Sequence, residues 1–271
     1  MTPENKGIFT TMFRHRMPRF KFIGCEIIYR EACFLAATGP YQVDVEFLLK
    51  GLHDVPREGM LSKIQAAVDS ASADGRYETI LLGYCRCNDG LVGLTAREIP
   101  LVIPRAHDCI TFFFGSRKAY MEYFHQHPGT YYLTTGWVER NTFGDAGYSK
   151  PAYGMEGILS QLGLSDPYDV LVEKYGKENA DYLVETLGCW QKNYSKALYL
   201  QMDACQDEEP FINDAREEAS RHNWGFDMRK GDWTLLRKLF FREWDDDFVV
   251  VLPGQAIVAR NDEEILGVQD V

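Results

Sequence analysis

The sequence has no apolar run long enough to cross a lipid bilayer, and its longest runs, such as Phe248 to Leu252, have the length of a strand. No continuous apolar segment follows the basic residues near the N-terminus, so we expect no secretory signal and a cytoplasmic protein. A net charge of −11 leaves no concentrated basic surface of the kind that nucleic-acid-binding proteins use. We therefore expect neither a membrane nor a nucleic acid as a partner.

Common catalytic signatures are also missing. The chain has no Gly-x-x-x-x-Gly-Lys-Ser/Thr loop, no Gly-x-Gly-x-x-Gly after a strand and no Gly-x-Ser-x-Gly elbow. These absences argue against a nucleotide hydrolase, an ordinary dehydrogenase and a serine esterase. A cysteine-based glutaminase stays open as an alternative, although the sequence offers no His-x-Glu partner for its nucleophile.

The cysteines do not form a disulfide framework. There are seven of them, an odd number without paired spacing, in a chain of 271 residues. In a reducing compartment such thiols are either inert core residues or metal ligands and nucleophiles. Cys33 and Cys189 have the surroundings of core residues, and Cys205 lies in an acidic loop.

Short apolar strands alternate with amphipathic helices from Arg19 to about Met202, which predicts an α/β fold. We expect a doubly wound three-layer sandwich with a mostly parallel sheet and a C-terminal β-hairpin extension. A short helix is expected over 91–98, and the hairpin is expected to pair 247–252 with 255–260. The predicted strands of the main sheet are 20–24, 42–49, 79–84, 100–104, 130–135 and 196–201.

The domain organisation predicted from this pattern is simple. Residues 1–18 form a flexible arm or an oligomer contact, and residues 19–271 form a single α/β metal-binding domain. An alternative divides this domain into two halves that meet near 141–152, where the chain is rich in Gly, Ser and Tyr. If the arm is an oligomer contact, the protein is expected to form a homo-oligomer.

Cysteines recur where predicted strands end. Cys25 follows the first strand, Cys85 and Cys87 follow the strand at 79–84, and Cys109 comes shortly after the strand at 100–104. Because the carboxyl ends of parallel strands share one edge of a sheet, these thiols are expected to converge there. Converging thiolates indicate a metal ion or an iron–sulfur cluster.

The segment from Arg105 to Cys109 adds further candidates. His107 and Cys109 form a His-x-Cys pair whose nitrogen and sulfur donors suit zinc, and Asp108 is expected to orient the imidazole. The alternative is structural: a helix-capping Asp108, a surface His107 and a buried Cys109. His53 follows the second strand and is either a further ligand or a turn residue.

Polar and aromatic residues at the same edge complete the predicted site. Glu26 and Arg30 follow Cys25 at a helix N-terminus, which favours a thiolate or an anionic ligand. Gly136 and Trp137, with Glu139 and Arg140, follow the fifth strand and are expected to line the crevice. The candidate catalytic residues are Glu26, Arg105 and Asp108; the candidate cofactor-binding residues are Arg30, Tyr84, Asn88, Gly136 and Trp137; the candidate metal ligands are Cys25, Cys87, Cys109 and His107.

These segments carry a resemblance. The motifs Phe22-Ile23-Gly24-Cys25-Glu26-Ile27, Gly51-Leu52-His53-Asp54, Leu82-Gly83-Tyr84 through Cys87-Asn88-Asp89-Gly90, Ile103-Pro104-Arg105-Ala106-His107-Asp108-Cys109-Ile110 and Gly136-Trp137 resemble an uncharacterised domain-of-unknown-function family. That family is found in anaerobic bacteria and methanogenic archaea and is associated with corrinoid-dependent methyl-transfer systems. The resemblance extends from about residue 20 to about residue 260. It implies that Cys25, Cys87 and Cys109 are the recurrent cysteines, and it places Cys85 outside the ligand set.

Three functions follow from the residues and the resemblance together. The first is a zinc enzyme of anaerobic one-carbon metabolism that transfers a methyl group to or from a small thiol. The second is an enzyme with a [4Fe–4S] cluster whose fourth iron is open to substrate. The third is a non-catalytic accessory protein that binds a corrinoid or another small molecule. A corrinoid protein or a methyltransferase is the expected protein partner.

Overall fold

A computed structural model describes residues 17–142, 168–187 and 193–271 of the chain. Residues 1–16 of the predicted arm lie outside the described residues, as does most of the boundary predicted near 141–152. The strands are β1 (Arg19–Cys25), β2 (Gln42–Leu48), β3 (Thr79–Gly83), β4 (Leu101–Pro104), β5 (Thr130–Thr134), β6 (Lys196–Gln201), β7 (Gly225–Lys230), β8 (Phe248–Val251), β9 (Gln255–Ala259) and β10 (Leu266–Asp270).

Helices follow most of these strands. They are α1 (Tyr29–Thr38), α2 (Arg57–Ala73), α3 (Thr111–Phe114), α4 (Arg117–Gln126), α5 (Thr135–Thr142), α6 (Tyr168–Tyr175), α7 (Lys177–Leu187), α8 (Glu209–Arg221) and α9 (Thr234–Phe240). Short 3-10 helices cover Glu26–Ile28, Lys50–Asp54 and Cys87–Asp89. In the described part of the chain no helix has the length and apolar character needed to cross a membrane.

The first sheet has the strand order β2-β1-β3-β4-β8. Strands β1 to β4 pair in parallel, and β8 closes the sheet antiparallel to β4. Every residue of β3 and β4 is buried, as expected for parallel strands covered on both faces. The prediction of an α/β fold with a mostly parallel sheet is therefore confirmed.

A second sheet of parallel strands, β5-β6-β7, has a separate hydrophobic core. The change of sheet comes between β4 and β5, before the residues predicted as a boundary between halves. Strand β7 has the sequence Gly-Phe-Asp-Met-Arg-Lys and lies at the edge of this sheet, mostly exposed. Sequence patterning missed it because an exposed edge strand needs no apolar face.

The C-terminal antiparallel hairpin is confirmed, but its strands differ from those predicted. Strand β9 pairs with β10, whereas β8 pairs with β4. The predicted pairing of 247–252 with 255–260 is wrong because β8 is apolar and gains more from completing the edge of the first sheet. Pro253 and Gly254 connect the two sheets instead of closing a hairpin.

The helix predicted over 91–98 is also wrong. Gly93 has a φ of 95°, which interrupts any helix at that point. The backbone N–H of Gly93 donates to the Ile257 carbonyl, and that of Ala96 donates to the Gln255 carbonyl. This segment therefore runs beside β9 and ties the hairpin to the first sheet.

Candidate functional site

The carboxyl ends of β1, β2, β3 and β4 form one edge of the first sheet. Cys25 is the last residue of β1, Lys50 follows β2, Tyr84 and Cys85 follow β3, and Cys109 follows β4. The chain leaves β1 toward β2 and then returns to β3 on the other side of β1. The site therefore lies at the topological switch point, where open α/β sheets bind ligands.

Two glycines fix the strand ends at this switch point. Gly24 and Gly83 are paired across β1 and β3, and the ring of Phe22 lies over both of them. A Cβ atom at Gly83 would overlap the Phe22 ring and come within 2.9 Å of the Ile28 side chain. Because neither glycine has a side chain, the Phe22 ring packs directly against the ends of β1 and β3.

The structure brings the predicted cysteines together. The Sγ atoms of Cys87 and Cys109 are 3.5 Å apart. The Cys85 thiol is hydrogen-bonded to Cys109, and Cys25 lies close enough to affect the charge states of Cys87 and Cys109. We call these four residues, Cys25, Cys85, Cys87 and Cys109, the thiol cluster.

Three of the four thiols are buried, and the surroundings of all four favour the protonated form. Burial raises the pKa of Cys25 to about 12 and that of Cys85 to about 11. The pKa of Cys87 is raised by its hydrogen bond with Cys109 and then by burial, and that of Cys109 is raised mainly by its hydrogen bond with Cys85. Lys50 partly offsets the raised pKa of Cys25, because a nearby cation favours the thiolate.

Tyr84 adds an unusual polar group beside the thiols. It is 2% exposed, and among the described residues its hydroxyl group has no hydrogen-bond partner. Burial, followed by the neighbouring Cys25, Cys109 and Cys87, raises the pKa of this phenol well above its ordinary value. An unsatisfied buried hydroxyl group is rare, and it offers a donor to anything bound at the cluster.

The thiols do not form a finished metal site. Within the described ranges, no group of three or more His, Cys, Asp or Glu side chains is arranged to hold a metal ion. The Cys87–Cys109 pair alone has suitable spacing, since two thiolates on one tetrahedral zinc lie about 3.8 Å apart for Zn–S bonds of about 2.3 Å. A third sulfur has to rotate toward this pair before an ion can be bound.

His107 lies outside the thiol cluster. Its side chain is exposed and lines a cavity of about 540 Å³ together with Arg57, Arg86, Asn88 and Asp89. This position matches the surface-histidine alternative for His107. Asn88 has a φ of 51° and donates a hydrogen bond to the Val55 carbonyl, so its role in the structure is to hold the loop at the cavity.

Asp108 forms a turn just before α3, whose N-cap residue is Ile110. Its carboxylate accepts hydrogen bonds from the backbone N–H of Ile110 at 2.9 Å and from the Tyr120 hydroxyl at 2.7 Å. Burial raises its pKa, and these hydrogen bonds oppose the shift. These contacts give Asp108 a structural role before α3, although the helix-capping position itself belongs to Ile110.

Arg105 is directed to the C-terminal hairpin. Its guanidinium group donates to the carbonyls of Leu266 and Phe248 and lies 2.6 Å from the Glu264 carboxylate. These contacts attach the hairpin to the first sheet. They give the predicted catalytic residue Arg105 a structural role at a distance from the thiols.

Glu26 and Arg30 bind protein groups on two sides of the crevice. The Glu26 carboxylate accepts a hydrogen bond from the Lys50 backbone N–H at 2.8 Å and lies 3.8 Å from Arg140. Arg30 forms a bidentate pair with Glu139 at 2.8 and 2.9 Å. The predicted cofactor-binding residue Arg30 is thus paired with a carboxylate of the protein.

Gly136 and Trp137 attach α5 to the first sheet. A Cβ atom on Gly136 would overlap the Ile27 carbonyl oxygen, so a glycine is needed for this close approach. The Trp137 carbonyl accepts a hydrogen bond from the Lys50 ammonium at 3.3 Å, and the ammonium lies 4.0 Å from the centre of the Trp137 ring. Both residues therefore act as packing groups between α5 and the segments that follow β1 and β2.

Sequence reasoning missed two residues of this region, Lys50 and Arg57, and it left Cys85 outside the ligand set. Lys50 is 1% exposed and Cys85 is fully buried. Lys50 follows β2, so the strand-end criterion used for the cysteines would have included it. Cys85 met that criterion, and only the resemblance excluded it. The side chain of His53 lies outside the described residues.

The comparisons with known proteins give a family but no named relative. No curated protein and no solved structure matches the chain. A family model described as "Protein of unknown function (DUF1638)" matches residues 47–240, which is more than half of the 271 residues. This finding confirms the resemblance to a domain-of-unknown-function family, and the association with corrinoid systems stays a prediction. The chain belongs to the DUF1638 family.

Proposed function

We propose that this protein is a zinc enzyme whose metal is held by Cys25, Cys87 and Cys109 at the carboxyl edge of the first sheet. The observation that carries the proposal is the 3.5 Å separation of the Cys87 and Cys109 sulfurs, contributed by two different strand ends. That separation suits two ligands of one ion. In a [4Fe–4S] cluster each cysteine binds a different iron, which holds the sulfurs further apart, so the geometry favours zinc.

The fourth position of the ion stays free for substrate in this proposal. Cys25 completes the set by rotating toward the Cys87–Cys109 pair, and Cys85 supports Cys109 through its hydrogen bond. Lys50 lies near Cys25 and offsets part of the negative charge of the thiolates. His107, which faces the cavity, is then available to contact the substrate.

The reaction that we propose is methyl transfer to or from a small thiol. Zinc bound by thiolates would hold the thiol substrate as a nucleophilic thiolate at neutral pH. The buried hydroxyl group of Tyr84 is positioned to donate a hydrogen bond to a sulfur at the cluster. A corrinoid protein or a methyltransferase is the partner that we propose with this reaction.

We further propose that helices cover both faces of the first sheet, as in a doubly wound three-layer sandwich. The connection from β1 to β2 and the connection from β2 to β3 run in opposite directions across the sheet. Right-handed crossovers then place α1 and α2 on opposite faces. The complete burial of β3 and β4 supports this arrangement.

Elemental analysis of anaerobically purified protein tests the zinc site. We expect about one zinc per chain in the unchanged protein, and at least a tenfold loss in each of the variants Cys25→Ala, Cys87→Ala and Cys109→Ala. The matched control is Cys33→Ala, because Cys33 is half-buried on α1 and lies outside the thiol cluster.

The same measurement separates the alternatives. If the purified protein contains iron and sulfide instead of zinc, the zinc proposal is contradicted and an iron–sulfur cluster takes its place. If the protein contains neither metal as purified and takes up no zinc on incubation, both metal-dependent functions are contradicted. The accessory-protein function is then the one that remains. Equal zinc loss in Cys33→Ala and Cys109→Ala would also contradict the proposed ligand set.

A further inference from the structure

The cavity beside the thiol cluster carries positive charge in an acidic protein. The chain has a net charge of −11, yet the residues lining this cavity include two arginines, Arg57 and Arg86, against one carboxylate, Asp89. Its volume of about 540 Å³ is sufficient for a small organic molecule. A local excess of cations opposite in sign to the rest of the molecule indicates an anionic ligand.

Arg57 supplies the least engaged of these charges. Its guanidinium group donates to the Val92 carbonyl at 3.0 Å, and across the described residues it has no carboxylate partner. Arg57 is also the first residue of the 17-residue helix α2, so the cavity lies at the positive end of that helix. The helix dipole and the arginine therefore act in the same direction on a bound anion.

Arg86 is held in place but keeps part of its donor capacity. Its Nε donates to Asp89 at 2.6 Å and its Nη1 donates to the Arg260 carbonyl at 2.8 Å. Its Nη2 has no hydrogen-bond partner in the described parts of the chain. A guanidinium fixed by two contacts presents its free edge to a ligand at low entropic cost.

The cavity is connected to the thiol cluster through the chain itself. Arg86 and Asn88 are the neighbours of Cys87, and His107 lies two residues before Cys109. Cys87 is the partly exposed member of the cluster, whereas the other three are buried. A molecule in the cavity therefore contacts the two residues that flank Cys87 in the chain.

We propose that this cavity binds the anionic group of the substrate, which makes the substrate a small thiol bearing a carboxylate, sulfonate or phosphate. This inference rests on the proposed zinc function for the thiol end of the substrate. The anionic end is bound by Arg57, Arg86 and the N-terminus of α2. The length of the substrate is set by the distance from these groups to Cys87.

Titrations with three probes test the two ends separately. Propionate, 3-mercaptopropionate and 2-mercaptoethanol are added to the full chain with zinc bound or removed, and binding is followed by NMR. We expect 3-mercaptopropionate to bind zinc-loaded protein at least tenfold more tightly than the neutral 2-mercaptoethanol. Propionate is expected to bind whether or not zinc is present.

Two substitutions in the cavity should change the affinity for anions in opposite directions. Arg57→Ala should weaken propionate and 3-mercaptopropionate about tenfold and leave 2-mercaptoethanol unchanged. Asp89→Asn should strengthen both anions several-fold, because it removes the one carboxylate from the cavity and an asparagine tolerates the φ of 51° at this position. The matched control Arg97→Ala changes an exposed arginine that is paired with Asp69 and should have no effect.

The outcomes distinguish this inference from the zinc proposal. Equal affinity for charged and neutral thiols, or no response to Asp89→Asn, would overturn the anion site. If the protein takes up no zinc but still binds propionate through Arg57, the anion site stands and the proposed function fails. If zinc binds and Arg97→Ala weakens propionate as much as Arg57→Ala does, the zinc site stands and the anion site is rejected.

Discussion

The thiol cluster and the α1 residue Glu31 are two regions of the molecule that contain buried ionisable groups. Cys25, Cys85 and Cys109 are at most 7% exposed, and Glu31 is fully buried on α1. A protonated thiol behaves as a small apolar group, so its burial costs little. A carboxyl group keeps strong polar atoms in either protonation state, and no other described residue donates a hydrogen bond to Glu31.

The comparison shows that burial and a raised pKa do not by themselves identify a site. Burial, with smaller contributions from Glu208 and Glu139 and against the opposing effect of Arg30, raises the pKa of Glu31 to about 8. The thiol cluster differs because separate strand ends deliver its members to one point and because a charged cavity adjoins it. Ionisable side chains that converge from separate strands beside a solvent-accessible cavity are therefore better evidence of a functional site than burial alone.

The largest predicted effect concerns Glu31. The unfolded chain ionises this group near pH 4.5, whereas the folded protein keeps its proton until about pH 8. Between these values the folded state binds the additional proton, so stability falls as pH rises, by about 1.4 kcal/mol per pH unit. Glu31→Gln should remove this slope and stabilise the protein by roughly 3 kcal/mol at pH 7, measured by denaturant unfolding from pH 5 to pH 8.

The exposed residue Glu217 on α8 supplies the control for this experiment. Glu217→Gln should leave the pH dependence of unfolding unchanged, because an exposed carboxyl group has similar surroundings in the folded and unfolded chains. If Glu31→Gln and Glu217→Gln show the same dependence as the unchanged protein, Glu31 is not held protonated. The contrast between the two buried regions would then disappear.

The second prediction concerns the glycines that support the thiol cluster. Gly83→Ala forces a methyl group against the Phe22 ring and the Ile28 side chain, so we expect a loss of about 1–3 kcal/mol of stability. Gly225→Ala is the matched control, since a Cβ there would meet its nearest neighbour at 3.7 Å, an ordinary contact. Equal stability of the two variants by thermal unfolding would show that the strand ends do not depend on this packing.

The sequence predicted the part of this edge that follows from strand periodicity. Apolar runs located β1 to β4, and the shared edge of parallel strands led to Cys25, Cys87 and Cys109. Local sequence patterns did not predict the direction of side chains: Arg105 binds the hairpin and Asp108 accepts hydrogen bonds in a turn before α3, although both lie close to His107 in the chain. Strand β7 and the pairing of β8 depend on contacts with segments far away in sequence, which local patterns do not encode.

The smallest effect predicted from the comparison is the stability cost of removing one thiol. In the presence of a chelator, Cys109→Ala should cost only about 1 kcal/mol, because it deletes one small buried group that carries no charge. Added zinc should then raise the thermal unfolding midpoint of the unchanged protein but not that of Cys109→Ala, since an ion bound only by the folded state stabilises it.

Cys33→Ala should respond to zinc as the unchanged protein does, because Cys33 lies outside the thiol cluster. A large loss in chelator with no response to zinc would mean that the four thiols serve packing alone, and the thiol cluster would then belong with Glu31 among the buried groups without a ligand.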